Sequence, residues 1–158
     1  MRVAVAFDHA GVPFVELIAA AVREAGDELV DLGTCDDYPD AALLAGQAIH
    51  RGDAERAILV CGSGAGVAVA ATKLPGIRAC VGHDTYTAVQ CVTHDDCNVL
   101  CVGARVIGPV YADACVRAFL GAEFSGEERH VRRLHKIDQL EQRGFALEPP
   151  TPEEERPT

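Results

Sequence analysis

The 158 residues of the chain are 49% hydrophobic and 24% charged, enough for one domain with its own core and no need of covalent staples. Charges interrupt every apolar run well before the roughly 18 residues of a membrane span, and the N-terminus lacks the long apolar core and cleavage site of a secretory signal. Fourteen basic against 24 acidic residues leave a net charge of −10, the reverse of a nucleic-acid footprint, so the expectation is a cytoplasmic protein that binds neither nucleic acid nor membrane.

The first β-branched run, Val3–Phe7, predicts a strand that leads through Asp8-His9-Ala10-Gly11 into a helix over Val12–Ala25. A second strand at Glu28–Leu32 precedes a helix over Ala41–Arg51. The third, Ala57–Cys61, runs into Cys61-Gly62-Ser63-Gly64-Ala65-Gly66 and a helix over Val67–Lys73. Ile77–Val81 is followed by His83-Asp84-Thr85-Tyr86 and a helix over Thr85–Thr93, which ends in His94-Asp95-Asp96. Val99–Val102 leads through Gly103-Ala104-Arg105 to a helix over Val110–Leu120. Gly26, Gly52 and Gly121 stand where C-terminal helix glycines belong. A last helix covers about Gly126–Arg143, and the Pro- and Glu-rich EPPTPEEERPT closes the chain as a segment expected to be disordered.

Strands alternating with helices imply right-handed βαβ crossovers and a parallel sheet covered on both faces. The expected fold is α/β: a three-layer α/β/α, Rossmann-like sandwich with a five-stranded parallel sheet and a C-terminal helix. The domain should occupy residues 1–145, with residues 146–158 as an acidic tail. The seven cysteines are odd in number and lie mostly in apolar segments, such as Cys80 in IRACV, Cys101 in NVLCV and Cys115 in ADACVRAFL. They read as buried free thiols rather than a disulfide scaffold, and without any C-x-x-C pair no zinc site is expected.

In an open parallel sheet, ligands bind beyond the carboxyl ends of the strands. The loops at that edge carry Asp8, His9, Cys61, Ser63, His83 and Arg105, with His94 at the end of the helix that follows. In CGSGAG, backbone N–H groups and a helix start can meet an anion and lower a cysteine pKa. The loop is neither a Walker A sequence, nor G-x-G-x-x-G, nor G-x-S-x-G. It is also what a tight turn around a buried cysteine looks like. In Arg129–Lys136, four of the 14 basic residues fall in eight positions, and Arg129 and Arg133 share one helix face. Two guanidinium groups on one face suit a phosphate, whereas a solvated helix balanced by Glu127 and Glu128 is the plainer account. His50, near a helix C-terminus, reads as structural, and His135 as a surface residue.

With these residues in hand, the chain resembles the type B ribose-5-phosphate isomerases, in the family that also holds galactose-6-phosphate isomerase. The matching stretches are DHAG at 8–11, DLGT at 31–34, DYPD at 37–40, CGSGAG at 61–66, ATKLPGIRA at 71–79, HDTY at 83–86, NVLCVGARVIG at 98–108 and RHVRR at 129–133. The resemblance implies a homodimer, or a dimer of dimers, with active sites between subunits, a small phosphorylated sugar as substrate, and no cofactor or metal. It implies aldose–ketose isomerisation through an enediolate, with Cys61 as the base between C1 and C2. Val67 stands where a second branch of the family carries a glutamate. By the same resemblance Ser63 shuttles a proton between the sugar oxygens, and Asp8 and His94 open the furanose ring. Gly62, Gly64, Ala65 and Gly66 lie in the loop that offers N–H groups to the enediolate. His9, Arg105, Arg129 and Arg133 resemble phosphate ligands, and Tyr38 lines the sugar site.

The chain departs from that pattern at three places. Asp95 replaces an asparagine that contacts a sugar hydroxyl, so an acceptor-only group stands where a donor and acceptor is usual. Glu127-Glu128 replaces a frequent Gly-Gly, and the Thr34–Tyr38 loop is short. These departures leave the reaction type intact and open the substrate to other sugar phosphates, such as erythrulose 4-phosphate, allose 6-phosphate or galactose 6-phosphate. Two other classes compete: a hydrolase with Cys61 as nucleophile and His94 as base, which leaves the arginines unexplained, and a non-catalytic sugar-phosphate sensor.

Overall fold

The computed structural model describes residues 1–148, divided into one unit of Met1–Ser125 and a second that begins at Gly126. In the first unit, β1 (Arg2–Asp8), α1 (Val15–Glu24), β2 (Glu28–Cys35), α2 (Tyr38–His50), β3 (Arg56–Cys61), α3 (Ala65–Ala71), β4 (Ala79–Val81), α4 (Thr85–Asp95), β5 (Val99–Gly103) and α5 (Pro109–Gly121) alternate along the chain. The five strands are all parallel, in the order β2-β1-β3-β5-β4.

The period-2 pattern of the central strands divides their side chains between two cores. Val3, Val5 and Phe7 of β1, Ile58 and Val60 of β3, and Leu100 and Val102 of β5 pack on one face with α1, α4 and α5. Ala4 and Ala6, Ala57, Leu59 and Cys61, and Val99 and Cys101 pack on the other face with α2 and α3. Alanines dominate the inner face of α2, at positions 41, 42, 45 and 48, and bring that helix close to the sheet. The three central strands are buried almost throughout, whereas the edge strands β2 and β4 are half-exposed and depart from the doubly covered pattern. Edge position is the reason: each has a strand neighbour on one side only.

Local chemistry shifts several element boundaries. Pro13 starts the first helix as a 3₁₀ turn over Val12–Phe14, and Pro39 lets α2 begin at Tyr38 rather than Ala41. β2 continues past Leu32 because Asp31 Oδ1 accepts the Gly33 N–H at 2.9 Å, and a register shift opposite Val5 and Phe7 carries the strand on to Cys35 beside Asp8. β4 starts at Ala79, not Ile77, since Ile77 N–H closes a turn on Leu74 and Arg78 N–H bonds to the Asn98 side chain. Gly26 and Gly52 end their helices with φ of 83° and 74°, but Gly121 remains inside α5.

The fold places a crevice at the carboxyl ends of β1, β3 and β5. After β1 the chain goes to one face of the sheet as α1, after the adjacent β3 to the opposite face as α3, and after β5 back to the first face as α5. Loops that part in opposite directions leave a gap between them.

In the second unit, α6 (Glu128–Arg143) is followed by a 3₁₀ turn over Gly144–Ala146, so the expected boundary at residue 146 falls within a turn. Most of the expected tail, residues 149–158, lies outside the described residues. Among the described residues, no helix is long and apolar enough to cross a membrane.

Candidate active site

The crevice holds a cavity of about 390 Å³ lined by residues of the loops after β1, β3 and β5, with Tyr38 and Gly66 from the starts of α2 and α3. Asp8, the last residue of β1, is 5% exposed, and its Oδ1 accepts the N–H groups of Ala10 and Gly11 at 2.8 and 3.0 Å. One carboxylate oxygen thus ties its own loop and the other remains for chemistry. His9 Nδ1 lies 3.0 Å from the Asp36 carbonyl, which assigns the proton to Nδ1 and leaves Nε2 for a ligand.

Cys61 closes β3 at 3% exposure, and its Sγ accepts the Gly64 N–H at 3.1 Å. Ser63 Oγ accepts the Ala65 N–H at 3.3 Å, so side chains of the loop itself engage two of its N–H groups. Gly64 takes a φ of 77°, and a Cβ there would lie 3.2 Å from Gly103 N. The Tyr38 ring lies over the first turn of α3, where a Cβ on Gly66 would stand 3.1–3.2 Å from ring atoms. Arg105 reaches the Gly62 end of the loop, and its N–H donates to the Gly62 carbonyl at 3.0 Å.

Burial pushes the Cys35, Cys101 and Cys115 thiols up; a hydrogen bond with Cys91, together with burial, raises Cys80 well above the usual thiol value, and Cys91, lowered by its bond with Cys80, is still pushed up to about 12 by Cys97 and burial. Cys61 alone of the seven lines the cavity and has a loop N–H aimed at its sulfur.

Of the residues read from the sequence, the structure gathers Asp8, His9, Tyr38, Cys61, Gly62, Ser63, Gly66 and Arg105 around this cavity, with Gly64 and Ala65 in the same loop. Ala10 and Val106 also line it; both were legible only as neighbours of Asp8-His9 and Arg105. His94 is not part of it within one chain. It lines a separate depression with Thr85, Tyr86, Val89, Gln90 and Thr93, and the exposed Asp95 at the end of α4 lines neither. Arg129 and Arg133 belong to the second unit, on exposed positions of α6, where Arg129 Nε pairs with Glu127 at 2.8 Å. Among the described residues, no group of three or more His, Cys, Asp or Glu is arranged to hold a metal ion.

Residues 3–137 match the model of the Ribose/Galactose Isomerase family. Ribose-5-phosphate isomerase B of Escherichia coli is 39% identical, the match covering 90% of this chain and 97% of that protein. D-erythrulose-4-phosphate isomerase 2 of Mycolicibacterium smegmatis is 38% identical over 87% of this chain and 95% of that one. The structure of the Trypanosoma brucei type B ribose 5-phosphate isomerase superposes with a TM-score of 0.84 at 46% identity, covering 87% of this chain and 96% of that one. A thiol, a hydroxyl, a carboxylate and an imidazole around one cavity, at the strand ends of this fold, fit that kinship: the chain belongs to the Ribose/Galactose Isomerase family and is a sugar-phosphate isomerase of the aldose–ketose kind.

Proposed function

We propose that the chain interconverts ribose 5-phosphate and ribulose 5-phosphate, with Cys61 as the base. The observation that carries the reading is the Cys61 sulfur at the cavity wall with the Gly64 N–H directed at it. The thiolate is the form that removes a proton. In the open-chain aldose the thiolate takes the proton from C2, and the C1 carbonyl becomes the oxyanion of an enediolate. The thiol then returns that proton to C1, while the Ser63 hydroxyl passes the O2 proton to O1. No atom is gained or lost. N–H groups of the 61–66 loop stabilise the oxyanion as it develops.

Asp8, through its second carboxylate oxygen, and His94 of the partner subunit open the furanose ring. His9 Nε2, Arg105, Arg129 and Arg133 hold the phosphate, and Tyr38 walls the sugar. Within one chain His94 lines a different depression, which supports a site completed by a partner subunit. In this reading the active form is a homodimer or a dimer of dimers.

A second reading, that the preferred substrate is D-erythrulose 4-phosphate, is favoured by the near-equal identity to a relative of that name. Asp95 bears on the same choice. Aldose–ketose exchange measured on C4, C5 and C6 sugar phosphates decides between them. The highest kcat/KM on ribose 5-phosphate supports the proposal, and a higher value on the C4 substrate replaces it with the second reading.

A further inference from the structure

His83, in the loop after β4, lines no part of the cavity, yet it is bonded to the end of β5, the strand that leads into Arg105 and Val106 of the lining. β4 ends at Val81, and the last main-chain bond across that edge runs from the Gly82 N–H to the Cys101 carbonyl at 3.1 Å. The next N–H of β5 on that side, from Gly103, donates instead to Nε2 of His83 at 2.9 Å. The imidazole stands where a longer β4 would supply a carbonyl. Since an N–H only donates, Nε2 is the unprotonated nitrogen and the ring is the neutral Nδ1–H tautomer.

Gly103 is where the β5 end meets the Cys61 loop. A Cβ at Gly103 would lie 2.6 Å from the Ser63 carbonyl carbon and 2.7 Å from its oxygen. Just beyond it, the N–H groups of Ala104 and Arg105 donate to the carbonyls of Cys61 and Gly62 at 2.9 and 3.0 Å. The Gly103 carbonyl in turn accepts from Val106 at 3.0 Å. A shift of Gly103 therefore moves Ser63 and Arg105 together.

We infer that neutral His83 is a positioning residue of the isomerase: by accepting the Gly103 N–H it sets the β5 end against the Cys61–Gly64 loop, and its protonation releases that contact. Imidazolium has two donors and no acceptor, so the bond cannot survive it. Burial disfavours the cation and holds the His83 pKa below the usual histidine value, outweighing Asp84, the charged group that bears on it. Asp84 is itself occupied at the start of α4, accepting from Thr87 N–H and Oγ1 at 2.7 Å each. A histidine pKa depressed by folding means that the contribution is complete above about pH 6.5 and is lost as pH falls through the folded-state value.

The inference rests on the cavity around Cys61 being the isomerase site, and the test separates the two. In ¹⁵N-labelled protein, the Gly103 amide signal is followed from pH 8 to 5 alongside the His83 ring signals. The amide should move with the ring's titration in the wild type and show no such step in His83→Gln, whose Oε1 accepts without titrating. In kcat/KM, His83→Ala should lose about tenfold, one hydrogen bond's worth. His83→Gln should stay within about threefold of the wild type and lack the His83 component of the acid limb. A Gly103 amide indifferent to the ring's titration overturns the inference, and so does a His83→Gln enzyme as impaired as His83→Ala. If His83→Ala does not fold, a His83→Gln enzyme with the full wild-type acid limb overturns it as well. A Gly103 step found in a protein without isomerase turnover would instead strike at the site assignment and leave the His83–Gly103 coupling standing.

Discussion

The Gly64 N–H donates to the Cys61 sulfur at 3.1 Å, so the left-handed residue that leads from β3 into α3 is also the one that bonds the thiol at the strand end. Turn geometry and chemistry are joined there: only a residue at ease with φ of 77° can aim its N–H back at position 61.

Replacing Cys61 with alanine should therefore remove the base and little else. We expect kcat to fall by about 10²–10⁴-fold, the usual worth of a positioned base, with the unfolding midpoint nearly unchanged. Steady-state kinetics and thermal unfolding on the same preparation check both halves. Near-normal turnover would move the base elsewhere.

Gly64→Ala should damage fold and site together. A Cβ at positive φ costs about 1–2 kcal/mol and would press on Gly103 N at 3.2 Å. Urea unfolding should show that loss, and kcat should drop because the N–H no longer meets the sulfur. Full stability in this variant would mean that the loop relaxes without it.

Arg133→Ala tests the phosphate grip. A charge-assisted contact to phosphate is worth about 1.5–3 kcal/mol, so KM should rise by roughly ten- to a hundredfold with kcat less affected. Inorganic phosphate should compete with substrate in the wild type and far less in the variant. An unchanged KM would place Arg133 on a plain solvated face.

Asp95→Asn addresses substrate choice. On the proposed function, a carboxylate at position 95 offers a sugar hydroxyl an acceptor only, where an asparagine would also donate. The ratio of kcat/KM between ribose 5-phosphate and other sugar phosphates should shift by about tenfold or more, close to one hydrogen bond. Side-by-side kinetics on C4 and C5 substrates measure it. An unaltered ratio would leave Asp95 as an exposed helix terminus.

Arg56→Ala tests stability far from the cavity. The half-buried guanidinium at the start of β3 donates to the carbonyls of Phe119 and Ala122, the latter at 2.7 Å, and lies 5.2 Å from the Phe119 ring centre. It closes the carboxyl end of α5, where helix carbonyls lack partners of their own. Its loss should cost about 2–4 kcal/mol in urea unfolding, with kcat/KM of the remaining folded enzyme near the wild-type value.

The alternation of apolar runs and helical stretches was enough to read a parallel α/β sheet and to point to the loops after its strands. An apolar, β-branched run and a helical period are local properties that the order of residues carries directly. Asp8, His9, Cys61, Ser63 and Arg105 were legible for the same reason, because each lies within a few residues of a strand end.

The tertiary structure decided what depends on distance between segments far apart in sequence. The order β2-β1-β3-β5-β4 sets β1 and β5 on either side of β3 and so turns three loops into one cavity. It also sends His94 to a separate depression, because α4 packs with α1 and α5 on the face opposite α3. The bond from Gly103 to His83 spans 20 residues and exists because β4 stops at Val81, short of the β5 end. Nothing local to His83-Asp84 distinguishes an imidazole that accepts a strand N–H from one that faces solvent; that is set by the neighbouring strand, which only the fold brings beside it.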